Sequence, residues 1–249
     1  MDDLLISTQQ AVQLASTELP KIPINKLKIQ GLAKGLGLVG NTAVIASTNG
    51  VQSVLLPDLT DPQILLKGEY LCIATSSKYV VLGIDNKAVV YPIALLKNPK
   101  IEPVATFTVK GKITCVLITP DEEYIATGSA ERQVALHELA SKTTIVDQWV
   151  FHSSKVTAIS CSPTKVNGGW HIASGAVDGI VMINRPEKPL EPRKVQPAHS
   201  DGVFCVEWLT TTKRSVVDPK DKDLKIEETV CVVKSTGGDA SVKVWEIVL

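Results

Sequence analysis

The sequence has no surplus of charge. Its 26 Lys+Arg balance 26 Asp+Glu over 249 residues, for a formal net charge of zero. Phosphate-rich partners need a concentrated basic face, which disfavours nucleic acid as the main partner. The densest basic stretch is Lys21, Lys26, Lys28 and Lys34. It is interleaved with Pro20, Ile22, Pro23 and Leu27 and reads as a solvated loop or strand edge. Paired cysteines are lacking too. Cys72, Cys115, Cys161, Cys205 and Cys231 stand singly, their number is odd, and no CxxC or Asn-x-Ser/Thr sequon occurs. Free thiols in a reducing compartment fit this pattern; a disulfide framework or paired-cysteine zinc site does not. Asp2 and Asp3 occupy the place of a basic leader, so no signal peptide is expected. The longest charge-free run, Gly35 to Pro57, is broken by Asn41, Asn49, Gln52 and several glycines. It divides into two short strands and not a membrane span. No long stretch shows helical spacing.

Catalytic signatures are missing as well. No GxSxG turn exists to strain a nucleophile. His137, His152, His171 and His199 never fall at the i, i+2 or i, i+4 spacing of metal ligands. "GLAKGLG", Gly31 to Gly37, lacks the closing Gly-Lys-Ser/Thr of a phosphate loop and reads as a turn feeding a strand. Trp149 and Trp208 are expected in the core. Glu122 and Glu123, after Pro120-Asp121, are expected in a solvated turn. These readings predict a non-enzymatic chain with no catalytic residue, no metal and no cofactor.

What is present is repetition. "GSAERQVALHEL" from Gly128, "GAVDGIVMIN" from Gly175 and "GGDASVKVWEI" from Gly237 share one plan. Small residues and a turn acid (Glu131, Asp178, Asp239) lead into an alternating apolar strand. A hydroxyl stands four residues before each acid, at Thr127, Ser174 and Ser235. A further strand precedes each: "KITCVLITPDEEYIATG", "KVTAISCSP" and "GVFCVEWL". Weaker copies surround Asp85, Asn49 and Asp3. The turn positions 3, 49, 85, 131, 178 and 239 lie 46, 36, 46, 47 and 61 residues apart. The last interval carries an insertion, "TTTKRSVVDPKDKDLKIEET", expected as an exposed hairpin tip or loop over 210–228.

About forty residues with four short strands rich in Val, Ile, Thr and Tyr is the period of a β-propeller blade. The predicted fold is all-β: one propeller domain over 1–249, with a partial blade at 1–20 and blades near 21–57, 58–97, 98–140, 141–190 and 191–249. A lone blade cannot bury both faces, so each must stack on its neighbours.

The copies resemble WD repeats. In that family a His, a Ser or Thr, an Asp and a Trp form a buried hydrogen-bonded set bracing each blade. The matching residues here are His199, Ser235, Asp239 and Trp245. The preceding copy has His152, Ser174 and Asp178, with Asn184 at the Trp position. The one before has Thr127, Glu131 and His137 and lacks the upstream histidine. Residue types of a hydrolase triad occur among them, but repetition at matched offsets favours bracing over catalysis.

"DQWVFHSSKVTAISCSP", "IASGAVDGIVMIN", "AHSDGVFCVEWL" and the terminal "DASVKVWEI" further resemble the end of the actin-interacting protein 1 family. The pairing of Trp149-x-Phe151-His152 with Ala198-His199 and Val206-x-Trp208-Leu209 carries the likeness, which is clearest from Lys112 onward. Met1 stands where that family often has the Trp of a Trp-Asp-Asp. The resemblance implies about five blades of an incomplete seven-bladed second propeller, as a fragment or short form. It also implies a cytoplasmic, cytoskeletal protein that works with cofilin to disassemble actin filaments, with actin and cofilin as partners and no nucleic acid or membrane. The alternative is a WD-repeat scaffold subunit of an unrelated complex. Partner-contacting residues are not assigned.

Overall fold

A computed structural model describes residues 3–7, 11–16, 25–56, 58–217 and 225–249. The expected turn at Asp3 falls at the start of a strand, and the centre of the 210–228 insertion, like residues 17–24, lies outside the described residues. The described residues form antiparallel strands, with one 3-10 turn at Ile93–Leu96 and no α-helix. The strands build six sheets in chain order. The first holds β1 (Asp3–Ser7), β2 (Ala11–Ser16) and β3 (Asn25–Lys28). Four four-stranded sheets follow. They comprise β4 (Ala33–Val39), β5 (Thr42–Ser47), β6 (Gly50–Leu55) and β7 (Thr60–Lys67), then β8 (Cys72–Thr75), β9 (Tyr79–Ile84), β10 (Lys87–Pro92) and β11 (Ala105–Thr108). Next come β12 (Ile113–Ile118), β13 (Tyr124–Ser129), β14 (Val134–Glu138) and β15 (Thr143–Trp149), then β16 (Val156–Cys161), β17 (Ile172–Ala176), β18 (Val181–Asn184) and β19 (Arg193–Val195). The last sheet holds β20 (Val203–Val217), β21 (Lys225–Gly237) and β22 (Val242–Val248). In every sheet, sequential strands pair in order, which is the meander of a propeller blade.

The core is a series of layers between blades. Val134 and Leu136 on β14 pack forward with Val156 and Ile172 of the next blade. Ala135, between them, packs backward with Val90 and Phe107 of the previous blade. Successive side chains on a strand point to opposite faces, so a strand sandwiched on both sides must be apolar throughout. This explains the unbroken runs "VVL" in β9 and "VMI" in β18, all of which are buried. A second layer joins Ala173, Val181 and Ile183 to Val206, Trp208, Cys231 and Val233.

Glycines allow the blades to approach. A Cβ on Gly128 would lie 2.7 Å from Val156 Cγ1, and one on Gly175 would lie 2.4 Å from Val203 Cγ1. Each β-branched residue opens the innermost strand of the following blade. In the same way, Gly35 lies beneath Ile73 and Gly37 beneath Thr75. The glycine-rich stretch is therefore a bend at Gly31 feeding strand β4, as expected, and Gly35 and Gly37 receive the neighbouring blade.

The sequence repeat and the spatial sheet are one strand out of phase. The sheets run 33–67, 72–108, 113–149 and 156–195, so β11 falls inside the expected unit 98–140 yet closes the sheet before it. Of the two forms expected for the insertion, hairpin tip or loop, its described residues take the hairpin. Residues 210–217 and 225–229 extend β20 and β21 into one long hairpin. Thr210–Thr212, Val216, Val217, Ile226 and Thr229 supply β-propensity. Arg214 pairs across the ribbon with Glu228 (3.2 Å), and Lys213 with Glu227 (3.6 Å).

Candidate functional site

The register places each hydroxyl and its partner ten residues later on one face of one blade. Ser235 is opposite Lys243, and Trp245 lies two residues further along the same face. The Trp245 indole Nε1–H donates to Ser235 Oγ (2.8 Å). The hydroxyl proton is then free to reach His199 Nε2 (2.9 Å), and His199 Nδ1–H donates to Asp239 Oδ1 (2.8 Å). Asp239 also accepts from Ser241 Oγ (2.7 Å), the Ser241 amide (3.2 Å) and Lys243 Nζ (3.2 Å). The Ser241 and His199 hydrogen bonds, backed by Lys243, hold its carboxyl far below the usual carboxylate range.

The blade before repeats the geometry. His152 Nε2 lies 2.9 Å from Ser174 Oγ, and His152 Nδ1 donates to Asp178 Oδ2 (3.1 Å). Asn184 Nδ2 replaces the indole as donor to Ser174 Oγ (2.9 Å) and also reaches the Ile172 carbonyl (3.1 Å). Burial works against the charge on Asp178. His152 and the Ser153 and Ile180 amides outweigh it, and the pKa is lowered.

The third set is rebuilt. Val109 occupies the slot of His152 and His199, four residues before the strand-opening Ile113, Val156 or Val203. His137, at the Trp position, meets Thr127 Oγ1 through Nε2 (3.0 Å) and Thr144 Oγ1 through Nδ1 (2.9 Å), and it stacks on Phe107 with centroids 4.7 Å apart. Burial pushes its pKa down to about 4. Glu131 is exposed and makes no hydrogen bond to Thr127 among the described residues. Gln133 does the linking instead, accepting from the Lys110 amide (3.0 Å) and donating to the Asp147 carbonyl (2.8 Å). Two earlier blades have no polar set. Their equivalent pairs, by register, are Leu82 with Tyr91 and Ile45 with Val54. Their turns are shorter, and Asp85 stands three residues after Leu82 instead of four, while Asn49 keeps the four-residue offset from Ile45.

Ser, His and Asp here have the order of a hydrolase triad, but the nucleophile position is closed. Ser235 is 1% exposed and its oxygen already accepts the indole N–H. A nucleophile must reach a substrate carbon beside an oxyanion site. Ser174 is equally enclosed. Trp149 and Trp208 are both buried. The geometry ties strands of a blade together and offers no reachable reactive atom in these sets.

Sequence reasoning missed a second set, on the turns joining the first and second strands of adjacent blades. Asp121 accepts from Trp170 Nε1 (2.8 Å) and Thr119 Oγ1 (2.7 Å) and pairs with Lys165 Nζ (3.0 Å). Glu122 accepts from Ser77 Oγ (2.7 Å) and the Lys78 amide (3.1 Å) and pairs with Lys78 Nζ (3.0 Å). For both carboxyls burial acts upward, yet these hydrogen bonds prevail and bring each pKa to about 2. The acidic turn therefore fastens three blades together, and only Glu123 has the expected solvated character. Its partners come from remote turns, so no local motif could announce it. A cavity of about 420 Å³ lies beside it, lined by Lys78, Tyr79, Glu138 and Leu139.

Comparison with known proteins agrees with this architecture. The family model described as WD domain, G-beta repeat matches residues 101–138, from just before β11 through β14. Actin-interacting protein 1 of Caenorhabditis elegans is 24% identical over 91% of this chain and 34% of its own length. Actin-interacting protein 1 of Drosophila melanogaster is 26% identical over 89% of this chain and 33% of its own length. An uncharacterized WD repeat-containing protein of Schizosaccharomyces pombe is 28% identical over 54% of this chain and 19% of its own length. The chain thus spans about a third or less of the length of these relatives. It has four-stranded blades with repeated bracing sets, one stretch that matches the WD-repeat model, and similarity along about nine-tenths of its length to proteins named actin-interacting protein 1.

Proposed function

We propose that this chain is a non-enzymatic, actin-filament-associated protein of the cytoplasm that promotes disassembly of cofilin-decorated filaments. The supporting observation is the similarity, along about 90% of the chain, to relatives whose names state an interaction with actin. The physical form is compatible with such work. Blades fastened by buried polar sets and by the Asp121–Glu122 turn make a rigid surface, and rigid surfaces lose little entropy on binding a large partner. The braces support that surface; the filament contacts lie elsewhere, on blade rims and loops.

Pelleting the purified chain with actin filaments, with and without cofilin, tests the reading. Co-sedimentation that increases on cofilin-decorated filaments is expected. A chain left in the supernatant under both conditions would overturn it and favour a WD-repeat scaffold of another complex.

A further inference from the structure

In the last three blades the residue paired with the blade hydroxyl has three different lengths. Met182 pairs with Ser174, Lys243 with Ser235 and Ala135 with Thr127. The three therefore hold one position, on the face turned to the preceding blade. Met182 fills its seam and is fully buried. Lys243 runs along its own, and its Nζ donates to the Ala198 carbonyl (2.7 Å) and to Asp239 (3.2 Å). Ala135 ends at Cβ and does neither. The side chains around it are short as well, since Val109 stands in the place of His199 and His137 in that of Trp245. Phe107 of the preceding blade takes up part of the room by stacking on His137. A cavity of about 290 Å³ remains, with Val109, Ala135 and His137 among its walls and Gln133, Thr144 and Asp147 beside them. Protein interiors hold few voids larger than a water molecule, so this seam has room for one more side chain.

The groups that hold Lys243 have counterparts at this seam. Thr108 precedes Val109 as Ala198 precedes His199, and Glu131 is the turn acid as Asp239 is. Thr108 lines the cavity, and Asp147 lines it from β15. Glu131 and Asp147 are exposed and form no salt bridge among the described residues. Lys110, also exposed and without a salt bridge among the described residues, brings one positive charge to the lining. His137 adds none at pH 7, because burial lowers its pKa to about 4. Two carboxylates against one ammonium leave the seam one positive charge short.

We propose that this slot is a docking site for a lysine side chain of a partner protein, received from outside where the last blade supplies its own Lys243. The methylene stem packs over Ala135 and Val109, and the ammonium is held by the Thr108 carbonyl, Glu131 and Asp147. Lysine suits such a site, since its stem covers apolar surface while its head stays among polar groups. A methionine, as at Met182, has the length but leaves both carboxylates without a counter-charge. The partner is thus a segment that presents an exposed lysine to the groove between two blades.

Titrating the full chain with a capped Gly-Gly-Lys-Gly-Gly peptide, followed by NMR of the alanine and valine methyl groups, tests the proposal. Saturable shifts of the Ala135 and Val109 methyls are expected. The same peptide with norleucine in place of lysine should bind at least about tenfold more weakly. Asp147→Asn, at an exposed carboxylate, should weaken the lysine peptide by about threefold or more. Ala135→Lys should occupy the slot from within and abolish the peptide-induced shift at Val109. Methyl signals that do not respond up to the solubility limit of the peptide would overturn the proposal. So would equal binding of the norleucine peptide, or lysine-peptide binding indifferent to Asp147→Asn or to Ala135→Lys.

Discussion

Ser235 shows how much one oxygen can hold. It accepts from Trp245 and reaches His199, which in turn engages Asp239. Removing it leaves an indole N–H and an imidazole nitrogen without partners in a buried site. Ser235→Ala should cost about 2–3 kcal/mol of unfolding free energy, read by urea denaturation. His137 makes a different prediction, because burial lowers its pKa from 6.5 to about 4. Between those values the unfolded chain binds a proton that the folded chain does not. Stability is therefore complete above about pH 6.5 and falls as pH drops toward 4, by about 3 kcal/mol in full. His137→Asn, which supplies an amide to Thr127 as Asn184 does to Ser174, should remove most of that loss. Burial lowers the pKa of His171 as well, so a smaller slope of the same sign should persist. Urea titrations of both proteins from pH 8 to pH 4 would measure the difference.

Among the elements, the turn between the second and third strands of a blade is the most informative. The residue after the turn acid adopts a left-handed backbone in each of the last three blades: Arg132 at φ 66°, Gly179 at φ 76° and Ala240 at φ 55°. Only the middle one is glycine. A Cβ on Gly179 would also lie 2.1 Å from the His199 carbonyl oxygen in the next blade. Gly179→Ala should cost about 3 kcal/mol or more, from strain and collision together. Ala240→Gly should instead gain about 0.5–1 kcal/mol, since the left-handed penalty exceeds the added chain entropy. Melting curves of the two variants should shift in opposite directions. The same element explains what could be read from sequence. Hydroxyl, turn acid and apolar alternation recur at fixed offsets in the last three blades because one hairpin contains them all. In the two earlier blades the hairpin is tighter and Leu82 and Ile45 replace the hydroxyl, so the copies are weaker; the offset to the turn residue shortens by one at Asp85 and is kept at Asn49. Glu131 has the spacing of a brace but not the contact, because without a histidine at Val109 there is no imidazole for it to engage.

For the whole molecule, the blade period was legible and the joints between blades were not. A forty-residue repeat is a one-dimensional signal. The Asp121 and Glu122 joints depend on Trp170, Lys165, Ser77 and Lys78, which only stacking brings near. The one-strand offset between repeat and sheet is equally spatial, since strand pairing alone decides where β11 belongs. The insertion read as a hairpin tip or a loop because its charges mask the alternation, and those charges pair across the hairpin. The stacked blades form a platform whose proposed work is on actin filaments. The most direct measurement is time-lapse imaging of single cofilin-decorated actin filaments with and without the purified chain. Faster severing or shortening is expected when the chain is added, with little effect on filaments without cofilin. Identical filament lifetimes with and without the chain would contradict it.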